Sequence, residues 1–196
     1  MPKIVNYIER KEEIAKESIK VFIDKGYYET KLSDIANKCG IGRTTLYQYF
    51  KNKDEIFKYA INHTIDSMRD SFEKILENSN LTFIEKIKKI IYSLAKEYKY
   101  NNSIIIFIEL WLILKRENKT IGEEIQNRSL EIRELFKELV SHGIKANEII
   151  KVDCDSMGNT LYALVESFVL QLSLNDDFNI DDHLNNVDIL IDGLRK

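Results

Sequence analysis

Arg43, Thr44 and Gln48 stand within six residues of one another, and each carries a side chain able to read a nucleic-acid base edge. Arg43 fits either a bidentate pair with guanine, worth about 1–3 kcal/mol of discrimination, or a phosphate. Thr44 offers a hydroxyl and a methyl group, suited to the methyl of thymine. Gln48, one turn beyond Thr44, fits adenine or an ordinary solvated surface. Lys53 falls at the start of a predicted long helix, where its charge and the free backbone N–H groups together make a phosphate site. Phosphate contacts fix register and base contacts choose sequence.

No comparable grouping points to catalysis. His63, His142 and His183 are scattered, with no HExxH spacing, and Cys39 and Cys154 form neither a disulfide framework nor a metal-ligand pattern. Gly-rich phosphate loops and a nucleophile elbow are missing. The expectation is therefore a protein that is not an enzyme and holds no cofactor and no metal. Each cysteine sits among apolar or small neighbours and reads as a small hydrophobe in the core.

The elements that must position the basic and polar residues are helices. The sequence has one proline, Pro2, and seven glycines in 196 residues, which suits long helices and not a barrel or sandwich rich in turns. Ile14, Ala15, Ser18, Ile19, Phe22 and Ile23 form a helical stripe, ended by Gly26 in a left-handed conformation. In the run LSDIANKCGIGRTTLYQYF, Leu32–Cys39 and Arg43–Phe50 read as two short helices joined by a three-residue turn. A steep crossing needs a small residue at the contact, Ala36, and a glycine at the turn, Gly40, where φ is positive. It also needs apolar residues to hold the angle, and Ile35, Cys39, Ile41, Leu46 and Tyr49 supply them. This is the pattern of a helix-turn-helix, whose second helix lies in the DNA major groove.

Beyond it, Asn52 with Glu55 resembles a capping box opening a helix from Lys53 to about Leu76. Thr82 with Glu85 and Thr120 with Glu123 repeat the pattern. Later helices are expected from Thr82 past Tyr98, from Ile104 to Lys115, onward to Gly143, from about Asp155 to Leu174 and from about Asp181 to Leu194. The fold class is all-α with about nine helices.

Charge is divided unevenly. Residues 1–53 carry a net +4 and residues 54–196 a net −7, within a total of −3. A basic head on an acidic body fits a protein that presents one end to a polyanion. The N-terminus lacks an apolar signal region and the longest apolar runs are too short to span a bilayer, so no membrane partner and a reducing cytoplasmic location are expected.

The residues Gly26-Tyr27, Thr30, Leu32, Ile35-Ala36, Gly40-Ile41, Thr45-Leu46-Tyr47, Tyr49-Phe50 and Lys53 resemble the signature of the TetR (tetracycline-repressor-like) family. The likeness covers about Ile14 to Ile56. It implies a three-helix DNA-binding domain, here 1–52, joined through a fourth helix to a ligand-binding and dimerisation domain, here 53–196. It further implies a homodimer, usually a repressor, that binds a double-stranded DNA operator and is released by a small-molecule effector. Thr45, Tyr47 and Tyr49 resemble the family's phosphate-contacting positions, with core packing an alternative for Tyr49. Two positions depart from the pattern. Lys31 and Gly42 stand where Ser or Thr is usual before the second and third helices. Gly42 is the weaker cap by a few tenths of a kcal/mol relative to Ser, while Lys31 exchanges a cap for an ionic contact with phosphate.

The last two predicted helices carry apolar seams, Leu161, Leu164, Val165, Phe168 and Leu172 on one and Leu184, Val187, Ile191 and Leu194 on the other. The resemblance suggests that they pair with their twofold mates in a four-helix bundle; an intramolecular core is the alternative. The middle helices would then wall a ligand pocket with Phe72, Phe83, Phe107, Trp111, Phe136 and Tyr162, each of which also reads as plain core. Glu109, the lone charge within Ile104 to Leu114, must face a cationic ligand, pair with a base or reach solvent. Glu166 is similar, with the dimer seam as a further place for it.

Overall fold

The computed structural model describes residues 6–100, 119–175 and 177–196. Among them the named elements are all helices: α1 Tyr7–Lys25, α2 Leu32–Lys38, α3 Arg43–Tyr49, α4 Lys53–Glu77, α5 Phe83–Tyr100, α6 Lys119–Lys145, α7 Cys154–Leu174 and α8 Ile180–Asp192. The helix expected from Ile104 to Lys115, with Phe107, Glu109 and Trp111, lies outside the described residues. No described helix is long and apolar enough to cross a membrane. The described residues divide into two compact units, one running to Asp70 and one beginning at Ser71. The first unit therefore ends well inside α4, whereas the sequence reading ends it at residue 52.

In the first unit, Asn6 caps α1 by accepting from the Ile8 N–H at 3.2 Å. The helix buries Ile14, Ala15, Ser18, Val21 and Phe22. Ser18 donates its hydroxyl to the Ala15 carbonyl at 2.6 Å, so its burial leaves no polar group unpaired. Gly26 ends the helix at φ 77° and ψ 159°. That is a positive-φ but extended conformation open essentially to glycine alone, rather than the left-handed helical one expected from the sequence. Ile35 and Ala36 of α2, Leu46 of α3, Phe50, and Ile56, Phe57, Ala60 and Ile61 of α4 complete the core. Phe22 meets Phe57 edge-on with ring centroids 5.4 Å apart and lies 5.6 Å from Tyr27, the offset geometries that ring quadrupoles favour.

The second unit is centred on α5, which buries Ile84, Ile87, Ile90, Ile91, Leu94 and Ala95. The capping box at its start is complete: the Glu85 carboxylate accepts from the Thr82 N–H at 2.8 Å, and the Thr82 hydroxyl accepts from the Glu85 N–H at 3.2 Å. The Asn52–Glu55 box is only half made. Asn52 accepts from the Glu55 N–H, but the Glu55 carboxylate takes the Lys51 N–H instead. Thr120 falls within α6 as its second residue.

α6 also runs through Gly143 to Lys145, past the stop expected there. The glycine serves close packing: a Cβ at Gly143 would run into the Ile149 side chain. Gly158 does the same between α6 and α7, since a Cβ there would sit 2.9 Å from the Lys137 backbone nitrogen and 3.1 Å from the Arg133 carbonyl. The C-terminus is tied back by an isolated antiparallel bridge between Ile149 and Arg195, with the Ile150 N–H donating to Leu194 at 2.9 Å.

The seams assigned to dimerisation from sequence fall on faces that these helices turn inward. Leu161, Val165, Phe168, Leu184, Val187, Ile191 and Leu194 are buried within the single chain, and Leu164 and Leu172 are half-buried. A side chain already out of water gains little from a partner. The same two helices instead expose Leu170 at 57%, Leu174 at 75%, Ile189 at 70% and Leu190 at 63%.

Candidate nucleic-acid interface

α3 is seven residues long, and its two faces differ sharply. Leu46 is buried, as is Phe50 just beyond the helix, while Arg43, Thr44, Tyr47 and Gln48 are exposed. The exposed four recur at i, i+1, i+4 and i+5, so they share one side of the helix. Thr45 and Tyr49 are half-buried at its edges. The inner face is fixed by the turn. Gly40 takes φ 64°, and the Ile41 N–H reaches back to the Ala36 carbonyl at 3.0 Å. Any residue with a Cβ at position 40 would carry the strain of a left-handed backbone. Cys39, at the end of α2, is half-buried, and burial pushes its thiol up to about 11. It is a packed, unreactive group at neutral pH.

The start of α2 is capped from within. The Asp34 carboxylate accepts from the Lys31 N–H at 2.9 Å and from the Lys25 ammonium at 2.8 Å. Lys31 itself is exposed, so its ammonium stays available to solvent or polyanion while Asp34 does the capping. The Lys25 bond and then the Lys31 N–H hold Asp34 below its ordinary pKa of 3.8. A carboxylate with a depressed folded pKa stabilises fully above its unfolded value, and loses that contribution as pH falls through the folded one. Asp34→Asn is therefore expected to lower stability at pH 7. The gap from wild type should narrow as the pH falls below the ordinary Asp34 pKa of 3.8 and on through the lowered folded value. Denaturant titrations of both proteins across that range check it, and a gap that persists at the acid end would contradict the assignment.

Lys53 is placed differently from the sequence expectation. Its ammonium donates to the carbonyls of Tyr27 at 2.7 Å and Tyr28 at 3.2 Å and lies 4.5 Å from the Tyr27 ring centroid. Burial lowers its pKa, against the opposing pull of Asp54 and Glu29. The Tyr27 hydroxyl donates to Asp54, and burial followed by that carboxylate raises the phenol far above its usual range. Lys53 thus clips the start of α4 to the end of α1, with two of its three N–H donors already used.

Sequence reading missed the first turns of α1. Tyr7 stacks on Tyr49 with centroids 4.9 Å apart and donates its hydroxyl to the Gln48 carbonyl at 3.2 Å. Arg10 donates to the Cys39 carbonyl at 3.2 Å, a cation at the C-terminal end of α2. Lys11 lies over the rings of Phe50 and Tyr59. The one signal in the sequence is the i, i+4 spacing of an aromatic and a base ahead of the apolar stripe.

Phe72, Phe83, Phe136, Tyr162 and Glu166 are the ligand-wall candidates that lie among the described residues. Phe72 and Phe136 are buried, and Phe83 packs its ring 6.0 Å from that of His142. Tyr162 lies under the Arg133 guanidinium at 4.8 Å, and burial raises its pKa. Glu166 is exposed and pairs with Arg133 at 3.6 Å. A groove of about 660 Å³ on α6 and α7 is lined by Asn127, Leu130, Glu131, Arg133, Glu134, Lys137, Asp155 and Asn159, and by none of these candidates. Among the described residues, no cluster of His, Cys, Asp or Glu has the make-up of a metal site.

Residues 14–60 match the family model described as bacterial regulatory proteins, tetR family. The chain is 26% identical over 197 residues to the uncharacterised HTH-type transcriptional regulator YerO of Bacillus subtilis, covering 96% of this chain and 66% of YerO, just under two thirds of its length. It is 24% identical to IcaR of Staphylococcus epidermidis, the negative transcriptional regulator of the biofilm operon icaADBC, covering 87% of this chain and 88% of IcaR. The fold matches that of the transcriptional regulator FadR from Bacillus subtilis, solved in complex with stearoyl-CoA. There the TM-score is 0.78 and the identity 20%, over 91% of this chain and 96% of that one.

Proposed function

We propose that the chain, whose residues 14–60 match the tetR family of bacterial regulatory proteins, is a dimeric helix-turn-helix repressor whose hold on an operator is released by a small molecule. The observation that carries the reading of DNA is the exposed face of α3. Arg43, Thr44, Tyr47 and Gln48 stand together on it, and Leu46 anchors the opposite side. Arg43 and Gln48 read base edges, Thr44 meets a thymine methyl, and Tyr47 with the flanking Lys31, Thr45 and Tyr49 holds phosphates. Lys53 contributes to phosphate binding through its remaining N–H and mainly by fixing α4.

Two copies meet through the outward sides of α7 and α8, where Leu170, Leu174, Ile189 and Leu190 are exposed. A twofold pair then presents two copies of α3 to half-sites about one helical turn apart. Release follows if an effector held in the body moves α4, the helix shared by both units. A coupling of about 1–3 kcal/mol gives a 5- to 150-fold response. The negative regulator IcaR and the acyl-CoA complex of FadR support repression and a ligand-responsive body.

The test is a selection of genomic fragments by the purified protein, followed by titration of the selected DNA. Wild type is expected to prefer one two-part site, and stearoyl-CoA is the first effector to try. Arg43→Ala is expected to relax choice at one base position per half-site, a loss of about 1–3 kcal/mol of discrimination there. Unaltered base preference in Arg43→Ala would remove that residue from the reading surface, and equal affinities across all probed ligands would argue against release.

A further inference from the structure

We infer that the first turns of α1, through Tyr7 and Lys11, act as a clamp that sets the pose of α3, and that Tyr7 is a positioning residue for DNA recognition. The inference rests on α3 being the reading helix. A helix of seven residues is too short to persist without outside support. Its N-terminal end is held by the Gly40 turn. Its C-terminal end leaves carbonyls without helical partners, and one of these, the Gln48 carbonyl, accepts the hydroxyl of Tyr7 from 41 residues away at 3.2 Å.

The ring of the same tyrosine covers Tyr49 at 4.9 Å and 22° between planes, so the last turn of α3 is gripped by a stack and a hydrogen bond at once. One turn further along α1, the Lys11 ammonium stands 4.9 Å from the Phe50 centroid and 4.8 Å from that of Tyr59, between two rings that are themselves edge-on at 5.5 Å. Tyr7 and Lys11 share a face of α1. Together they join the end of α3 and the front of α4.

Tyr7 is nevertheless 53% exposed and contributes little to the buried core. Its consequence is directional. Base readout needs side chains held to within about half an ångström, and Tyr47 and Gln48 lie on the turn that the clamp fixes. Removing the clamp frays that turn and loosens specific contacts, while the diffuse attraction of the basic head for phosphate is unchanged.

The experiment compares wild type, Tyr7→Phe and Tyr7→Ala as full chains, by two readouts. The first is amide exchange in the free protein. Tyr7→Ala is expected to speed exchange at Phe50, whose N–H donates to the Leu46 carbonyl, by roughly tenfold, with the Cys39 amide of α2 unchanged and Tyr7→Phe intermediate. The second is affinity for a selected site and for random DNA. Tyr7→Ala is expected to lose roughly tenfold on the selected site and less than twofold on random DNA, with most of the loss restored in Tyr7→Phe. Unchanged exchange at Phe50 overturns the clamp. Equal losses on both DNAs overturn the positioning role and make Tyr7 a phosphate contact. A wild type that selects no site overturns the DNA reading itself, and the exchange result still decides the clamp.

Discussion

Ile189→Asp combined with Leu190→Asp is expected to give a folded monomer that binds a two-part operator at least a hundredfold more weakly than wild type. Both side chains are largely in water in the single chain, 70% and 63% exposed, so the folded monomer tolerates the change to within about half a kcal/mol per site. A twofold seam does not. Symmetry places four new carboxylates in it, in apolar surroundings where an unpaired charge is strongly disfavoured.

The loss on DNA follows from linkage. In a dimer the second head binds at an effective concentration in the millimolar range, which raises avidity by about 10²–10⁴ without any new contact. A monomer forfeits that gain and keeps its affinity for a single half-site. Sedimentation and titration on one-part and two-part DNA measure both quantities. The contrast is Leu184→Ala, on the inward face of α8, which is expected to destabilise the single chain by about 2–5 kcal/mol through a cavity. Its oligomeric state should change only as far as the fold does. A double aspartate variant that sediments as a dimer would place the twofold contact elsewhere.

That contrast also shows what the sequence could and could not carry. α7 and α8 are apolar on more than one side, and a helical period reveals such faces without saying which neighbour each one meets. Leu184, Val187 and Ile191 pack inward, while Ile189 and Leu190, one or two positions along, face out. The decision depends on where α5 lies, which no local pattern encodes. The turn between α2 and α3 was legible for the opposite reason. Ala36, Gly40, Ile41 and Leu46 meet demands set by residues within a dozen positions, so the local sequence holds all the terms. Lys53 and Tyr7 fall between the two cases. Charge at a helix start and an aromatic near the N-terminus are visible in sequence, but their partners, the Tyr27 and Gln48 carbonyls, stand 26 and 41 residues away. Gly143 reads as a helix stop by propensity and is an interior helix residue by packing, because the competing demand is the Ile149 side chain within 3 Å of where a Cβ would go.

Phe22→Ala is expected to abolish DNA binding while leaving the second unit folded. Phe22 is 1% exposed and packs its ring against Phe57 and Tyr27. Truncating a buried phenylalanine costs about 3–5 kcal/mol, since the transfer loss is compounded by a cavity that neighbours refill only in part. A unit of about 70 residues has about 3.5–10 kcal/mol of stability in total, so the substitution removes roughly three tenths of it at least. The damage also spreads along a specific path. Tyr27 is held between Phe22 and Phe57, its hydroxyl binds Asp54, and its carbonyl binds the Lys53 ammonium. Loosening the rings therefore frees the start of α4 from the end of α1. The core of the second unit, built on Ile84, Ile87, Ile91 and Phe136, contains none of these residues. Amide exchange resolved along the chain is expected to show protection lost from α1 to α3 and kept in α5 to α8, with a separate low-temperature step in the melt. Phe22→Leu, which keeps most of the volume, is expected to lose less than about 1.5 kcal/mol and to retain operator binding. Loss of protection across both units at once would mean that they unfold as one cooperative body, and the reading head would then owe its stability to the whole chain.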